Sequence, residues 1–267
     1  MKLLFLGTGA ADKMNIEELK KDAFPRRCSS ALLTGGVLMD PGPHIYDFAE
    51  SAGMPALFRD VRQVLCTHSH DDHFCPQTLA RLAREATGRV TVYGDGAILR
   101  RMRREMGESA GAVDFRYMHH GERVTVGAYE VLPVRSNHST ADEAEITLHY
   151  IIEGEGKRLF YGLDGAWLRR ESWNLMRALP GAFDVMIFDL TCGENPDEFR
   201  FAEHNSIPML RLMLAGMKNK VNHVVDGSTR FYATHMASTL HTDPDTLRRT
   251  LAPDGIVPAY DGMEIEI

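Results

Sequence analysis

The most informative stretch of the chain reads Leu65-Cys66-Thr67-His68-Ser69-His70-Asp71-Asp72-His73. An apolar strand is predicted over 63–66 and a helix over 76–87, so the histidines and aspartates occupy a loop at the carboxyl end of a strand. Imidazole and carboxylate groups are the ligands that divalent zinc, manganese and iron accept. The alternative is a solvated, histidine-rich loop. We expect a metal site because so many donors directly follow an apolar strand.

The spacing of these donors indicates two ligand positions within the loop. The first and third residues of an extended segment project to the same side, so His68 and His70 share a face. The following turn brings Asp72 and His73 to a second position. The loop therefore supplies about half of the ligands of a two-metal site, and the rest must come from distant parts of the chain.

Short apolar strands recur along the chain, with helical stretches between them. Adjacent strands within 30–39, 123–134 and 146–161 are close enough to form hairpins, and strict alternation of strand and helix is incomplete. We therefore predict an α/β protein with mixed or largely antiparallel sheets and helices packed outside them. No linker divides the chain, so we expect a single domain over residues 1–267, with a helical or loop insertion around 11–27.

Composition excludes several classes of function. With 44% hydrophobic and 25% charged residues, the 267-residue chain is neither disordered nor fibrous. A formal net charge of -7 does not attract a polyanion. The 4 cysteines are too few and scattered for a disulfide scaffold, and no apolar run suits an export signal or a membrane span. We expect a cytoplasmic protein that does not enter membranes.

The pattern H-x-H-x-D-H after a strand resembles that of the metallo-β-lactamase superfamily. This resemblance implies a four-layer αββα sandwich of two mixed sheets with outer helices and metals at one edge. It also implies further ligands in a fixed order, each just after a strand, and the chain offers His138, Asp164 and His235. One metal would be held by His68, His70, His138 and Asp164, and the other by Asp72, His73, Asp164 and His235.

The same resemblance implies that Asp164 bridges the two metals and that Asp40 supports the site. Asp40 would orient a ligand or the His68 loop without touching metal. Its alternative role is an Asx turn before Pro41-Gly42. Two aspartates facing two divalent cations leave excess positive charge, which favours a bridging hydroxide and an anionic substrate.

Other segments resemble the phosphodiesterase branch of the superfamily, which includes the cyclic phosphodiesterase of bacterial phosphonate breakdown and, more distantly, tRNA 3′-processing endonucleases. These segments are Leu6-Gly7-Thr8-Gly9-Ala10, Asn137-His138-Ser139, Leu163-Asp164-Gly165 and Tyr260-Asp261-Gly262-Met263-Glu264. The branch implies that His204, within Glu203-His204-Asn205, is a general acid or stabilises the transition state. The alternative is that His204 only precedes Asn205 as the cap of the next helix.

The chain departs from this branch in two places. The phosphonate enzyme has a structural zinc held by cysteines near its N-terminus, whereas the segment 11–27 has no cysteine and Ser238 stands three residues after His235. A second departure is an insertion over 222–230, which we expect to shape the pocket rim. The only dense basic run, within 99–104, is typical of a solvated helix face, so a large nucleic-acid substrate is disfavoured.

These observations predict a dinuclear hydrolase that binds two divalent ions, either zinc, manganese or iron. The expected substrate is a small or cyclic phosphodiester, attacked by a metal-bridging hydroxide, with Asp72, Asp164 and His204 as catalytic residues. Thioester or lactone hydrolysis at the same site is one alternative, and a redox or non-catalytic role is another. Relatives often form dimers, so a homodimer is compatible with the resemblance.

Overall fold

The structure is a computed structural model that describes residues 1–195, 198–219, 221–241 and 243–267. Its strands form two seven-stranded sheets. The first sheet contains β1 (Lys2–Gly7), β2 (Ser30–Leu33), β3 (Val37–Met39), β4 (Gln63–Leu65), β5 (Val90–Gly94), β6 (Val113–Tyr117) and β14 (Glu264–Glu266). The second contains β7 (Val124–Val126), β8 (Tyr129–Arg135), β9 (Leu148–Gly154), β10 (Lys157–Gly162), β11 (Val185–Asp189), β12 (Arg230–Thr234) and β13 (Ile256–Pro258).

Helices lie between the strands. They are α1 (Ile16–Leu19), α2 (Ile45–Ser51), α3 (Pro76–Glu85), α4 (Gly96–Met106), α5 (Arg170–Ala178), α6 (Ile207–Met217) and α7 (Pro244–Leu251). Short 3₁₀ turns cover Ala11–Lys13, Gly107–Ala112, Phe199–Ala202 and Ala252–Asp254. Over the described ranges of the chain, no helix combines the length and the apolar character that crossing a membrane requires.

Both sheets are mixed. The three predicted hairpins are confirmed, because β2–β3, β7–β8 and β9–β10 pair in antiparallel fashion. The strands β3 to β6 and β10 to β13 pair in parallel, with a helix crossing over between successive strands. Parallel neighbours require such crossovers, which is why α2 to α4 belong to the first sheet and α5 to α7 to the second.

Three apolar layers hold the sandwich together. Leu3, Leu65 and Tyr150 belong to the central layer, which lies between the sheets. Helices α2 to α4 cover the outer face of the first sheet, and α5 to α7 cover that of the second. The predicted four-layer αββα sandwich is confirmed.

One edge of the sandwich collects the carboxyl ends of many strands. In the first sheet, β1, β3 and β4 run in the same direction and end at this edge. In the second sheet, β8 and β10 to β13 share a direction and also end there. Loops that follow these strands can therefore bring side chains from both sheets to one place. Each predicted ligand lies just after one of these strands.

Two predicted insertions occupy different edges. The segment 11–27 lies at the ligand edge, where the Asp12 carboxylate accepts hydrogen bonds from the Ser238 hydroxyl at 3.0 Å and the Thr239 amide at 3.3 Å. The segment 222–230 connects α6 to the start of β12, and the Thr229 hydroxyl donates to the Phe183 carbonyl at 2.7 Å. It lies at the opposite edge, so the expectation that it shapes the pocket rim is wrong.

Candidate metal centre

The loop after β4 folds back tightly on itself. The amides of His73 and Phe74 both donate to the His70 carbonyl, at 3.1 and 2.8 Å. This turn separates His68 and His70 from Asp72 and His73. Of these four residues only His70 is partly exposed, and the others are buried.

The remaining predicted ligands approach from the second sheet. His138 follows β8, Asp164 follows β10 and His235 follows β12. Asp164 and His235 adopt left-handed backbone conformations, with φ of 53° and 56°, as does Asp40 after β3 with φ of 53°. Such conformations are costly outside glycine, persist where the surrounding structure enforces them, and are concentrated at functional sites.

The seven predicted ligands form two groups, and each group holds its ligand atoms within 4.8 Å of one another. In the first, His70 Nδ1 lies 3.0 Å from both His68 Nε2 and His138 Nε2. Asp164 Oδ2 lies 3.6 Å from the same two Nε2 atoms. These groupings match the two sets that the resemblance implies.

The second group is equally compact. His73 Nε2 and His235 Nε2 lie 3.2 Å apart, and each lies 3.3 Å from Asp72 Oδ2. Asp164 Oδ1 lies 3.1 Å from His73 Nε2 and 3.0 Å from His235 Nε2. Asp164 therefore presents one carboxylate oxygen to each group.

These distances fit divalent cations. Four ligands about 2.1 Å from a tetrahedral zinc ion lie about 3.4 Å from one another, close to the separations in both groups. Asp164 Oδ1 is buried, and although His73 Nε2 and His235 Nε2 lie near it, it forms no hydrogen bond of good geometry within the described part of the chain. Buried polar atoms of this kind need a partner, and a cation would supply one.

Hydrogen bonds on the outer side of the imidazoles fix their orientation. His68 Nδ1 lies 3.0 Å from the Thr67 hydroxyl, His73 Nδ1 3.0 Å from Asp40 Oδ2, and His235 Nδ1 2.7 Å from the Thr191 hydroxyl. Each ring therefore directs Nε2 inward, as metal-ligating histidines do. Asp40 also accepts from the Thr67 amide at 2.8 Å, so its side chain supports the loop and does not form the Asx turn.

Burial and nearby carboxylates set the charges of the site. Burial holds the pKa of His68 well below its ordinary value and lowers that of His138 to about 4, so both imidazoles are neutral. Burial opposes ionisation of Asp164, but His235 and His73 outweigh it and hold its pKa well below the ordinary value. The same carboxylate raises the pKa of His235 to about 10 against the effect of burial. Cation binding at this position would therefore release protons.

A further group, which the sequence analysis only partly identified, lies beside the two ligand groups. His204 Nδ1 lies 2.6 Å from Asp189 Oδ2 and 3.1 Å from the Thr191 hydroxyl. The His204 ring stacks on His235, with ring centres 5.4 Å apart, and meets His138 edge-on at 4.9 Å. His204 is therefore adjacent to ligands of both groups.

Sequence reasoning singled out His204 but missed Asp189 and Thr191. The available signal was that Asp189 ends the apolar strand β11 at the ligand edge, as other site residues do. Burial lowers the pKa of His204, but Asp189 outweighs burial and raises it. The alternative that Asn205 caps the next helix is wrong, because Ser206 caps α6. Asp164, Asp189, His204 and His235 also lie close enough to hold a cation, although Asp189 and His204 hydrogen-bond each other.

Comparison with known families agrees with this geometry. The family model described as the β-lactamase superfamily domain matches residues 36–236. The chain belongs to the metallo-β-lactamase superfamily. Most members of this superfamily are hydrolases. No curated protein matches the chain significantly.

Several solved structures share the fold of this superfamily member along its whole length. A diphosphatase of the PhnP family has a TM-score of 0.72 at 20% identity, covering 100% of this chain and 96% of its own. Human tRNase Z, short form, has a TM-score of 0.66 at 17% identity, covering 100% and 99%. Zinc-bound PqqB from Methylobacterium extorquens has a TM-score of 0.67 at 17% identity, covering 100% of both chains.

Proposed function

We propose that this superfamily member is a dinuclear metal-dependent phosphodiesterase that hydrolyses a small or cyclic phosphodiester. The observation that carries the proposal is the pairing of two ligand groups through Asp164, with His204 adjacent to both. A phosphodiester needs positive charge for its oxygens and a group that assists the departing oxygen. The residues at this edge can meet both needs.

Within this proposal the seven ligand residues hold two divalent cations. Bound cations supply Lewis acidity and a water of lowered pKa. The imidazole and carboxylate donors suit zinc, manganese or iron. Asp164 contributes an oxygen to each group, and Asp72 lies at the second group, so the two carboxylates offset part of the cation charge.

His204 is the proposed general acid. Its Nδ1 hydrogen-bonds Asp189, which orients the ring and leaves Nε2 to carry the proton that is transferred. Asp189 would also stabilise the protonated ring, as a carboxylate partner does for catalytic histidines. Proton transfer by a positioned imidazole assists the leaving group without any large movement of the protein.

Two features support a small phosphorylated substrate. The fold neighbours include a diphosphatase and tRNase Z, which favours phosphate chemistry. Three of the four arginines in the basic run on α4 are paired locally, because Arg100 binds Asp142, Arg101 binds Asp71, and Arg104 binds Glu105. A surface of paired charges offers little attraction to a long polyanion.

Hydrolysis assays on the metal-replete protein test this proposal. We expect turnover of bis(p-nitrophenyl) phosphate and a 2′,3′-cyclic nucleotide, and none of a thioester or a lactone. His204→Ala should lower kcat about 10²- to 10⁴-fold while metal content is retained. The matched control, His119→Ala, changes an exposed histidine and should leave kcat unaltered.

Other outcomes would contradict the proposal in distinct ways. Cleavage of the thioester or lactone alone, unaffected by His204→Ala, would indicate an ester hydrolase on the same centre. Bound iron with oxygen consumption and no hydrolysis of any ester would indicate redox chemistry. Either result would exclude phosphodiester hydrolysis as the activity.

A further inference from the structure

A second cavity opens at the ligand edge, outside the two ligand groups. Its volume is about 210 Å³. Three segments contribute to its walls: residues 23–26, the first turns of α7, and residues 258–261 from the end of β13 onward. The first of these belongs to the segment 11–27, which Asp12 attaches to the loop after His235.

One wall of this cavity is bonded to the loop that carries His235. Thr8 lines it, and the Thr8 carbonyl accepts a hydrogen bond of 2.9 Å from the amide of Met236, the residue after His235. Gly9 packs so closely on the cavity wall that a Cβ there would lie 2.5 Å from the Arg26 carbonyl oxygen. One backbone hydrogen bond therefore links the wall of the cavity to the residue that follows His235.

Arg26 gives the cavity an unneutralised positive charge. Its guanidinium is partly buried, and no carboxylate of the described ranges forms an ion pair with it. Burial lowers the pKa of Arg26, with Asp261 and Asp12 opposing that effect from a distance. A desolvated guanidinium without a partner is suited to binding an oxyanion through two parallel hydrogen bonds.

The one carboxylate lining the cavity is already engaged. Asp261 accepts from the Thr8 hydroxyl at 2.8 Å and from the Arg27 amide at 2.9 Å, and it forms an ion pair with the Arg27 guanidinium at 3.3 Å. Arg248, on the α7 side, is exposed and pairs with Asp245 at 2.7 Å. Asp261 therefore directs its hydrogen bonds to Thr8 and Arg27, and Arg26 is the cation of the cavity that has no ion pair within the described ranges.

Two exposed aromatic rings lie at the mouth of the cavity. Phe24 is 48% exposed and Tyr260 is 59% exposed, which is unusual for large apolar side chains. Pro25, Pro244 and Pro258 contribute to the apolar lining. Exposed aromatic faces stack on planar rings such as nucleobases.

We propose that this cavity binds a nucleoside phosphate end of the substrate, with a terminal phosphate on Arg26 and the nucleoside against Phe24 and Tyr260. The inference rests on the proposed function, because it assigns the cavity to one end of the same phosphodiester. The substrate would then carry two phosphates, one at the metal centre and one in the cavity.

Kinetics on a matched pair of substrates test the inference. We expect the metal-replete protein to hydrolyse thymidine 3′-(p-nitrophenyl phosphate) about tenfold more efficiently, in kcat/KM, when it carries a 5′-phosphate. Arg26→Gln should abolish this preference, so that the two compounds are hydrolysed with similar kcat/KM. Arg249→Gln is the control, since Arg249 lies on α7, bonds Thr246 and does not line the cavity.

The outcomes separate the two proposals. If both substrates are cleaved equally well, or if Arg26→Gln keeps the preference, the inference is overturned and the phosphodiesterase proposal stands. If neither substrate is cleaved, and bis(p-nitrophenyl) phosphate and the cyclic nucleotide are not cleaved either, the proposed function fails, and calorimetry with thymidine 5′-phosphate decides the cavity assignment. If Arg26→Gln binds thymidine 5′-phosphate at least about tenfold more weakly than the parent protein, the cavity assignment is supported. Equal affinities of the two proteins would overturn the assignment.

Discussion

Asp164 is the residue on which both ligand groups depend, since each of its oxygens faces a different group. Asp164→Asn keeps the size of the side chain but removes the charge that both cations would share. We expect bound metal to fall from about two ions per chain to fewer than one. Elemental analysis of the purified variant measures this.

An exposed aspartate provides the control for that measurement. Asp114 pairs with Arg89 at 2.8 Å on β6, far from the ligand edge, and Asp114→Asn should bind metal like the parent protein. Full metal content in Asp164→Asn would show that the carboxylate is not shared.

His241 makes stability depend on pH. Burial lowers its pKa from 6.5 to about 4, and its Nε2–H donates to the Leu190 carbonyl at 2.6 Å. Below pH 6.5 His241 is protonated in the unfolded chain, whereas in the folded protein it stays neutral until about pH 4. Protonation therefore favours the unfolded chain, and the free energy of unfolding falls as the pH is lowered from neutral.

A neutral replacement tests this linkage. Between about pH 7.5 and about pH 5, the parent protein should lose roughly 2 kcal/mol more unfolding free energy than His241→Asn, whose amide can still donate to Leu190. Urea unfolding at the two pH values measures the difference. Parallel losses in both proteins would show that His241 titrates normally in the folded state.

The ligand residues could be identified in sequence because their order matches a family pattern and each follows an apolar strand. Asp189 and Thr191 lack such a pattern. Asp189 hydrogen-bonds His204, which lies 15 residues further along the chain, and Thr191 hydrogen-bonds His235, which lies 44 residues further along. Contacts of that kind depend on how the strands are arranged in space, which spacing along the chain does not show.

At the scale of elements, α4 supports the ligand loop. The Arg101 guanidinium donates to the Ser69 carbonyl and the Asp71 carboxylate and lies over the Phe74 ring, 5.6 Å from its centre. It therefore holds both the start and the end of the turn that carries the ligands.

Removing this support should loosen the centre without unfolding the protein. We expect Arg101→Gln to weaken metal affinity about 10- to 100-fold, as loss of residues that orient ligands commonly does. Arg103→Gln is the control, because Arg103 is an exposed residue of the same helix. Competition with a chromogenic chelator measures affinity, and identical values for the two variants would contradict the supporting role.

Elements with strong apolar patterns could be predicted, and weakly patterned ones could not. The three hairpins were recognisable from short turns between apolar strands. The strands β6 and β14 escaped prediction because they are edge strands with mostly exposed residues. Residues 222–230 were placed at the wrong edge, because the direction of β12 within its sheet determines where the preceding loop lies.

At the scale of the whole molecule, the candidate centre links the two sheets. His68, His70, Asp72 and His73 follow a strand of the first sheet, whereas His138, Asp164 and His235 follow strands of the second. Cations bound between them would stabilise the folded state over the unfolded chain, in which the ligands are dispersed.

Metal removal should therefore lower thermal stability. At free metal about 1,000-fold above Kd, binding contributes about 4 kcal/mol. For a chain of this size chelation should then lower Tm by about 10 °C. Calorimetry before and after dialysis against EDTA measures the change, and zinc or manganese should restore the original Tm. An unchanged Tm would mean that no cation bridges the sheets.

The most direct test of the central claim is an anomalous-scattering map from crystals of the metal-replete protein. We predict two peaks, one among His68, His70, His138 and Asp164 and the other among Asp72, His73, Asp164 and His235, each within about 2.3 Å of its ligand atoms. A map with no peak at this edge, or with one peak whose ligands exclude Asp164, would contradict the account.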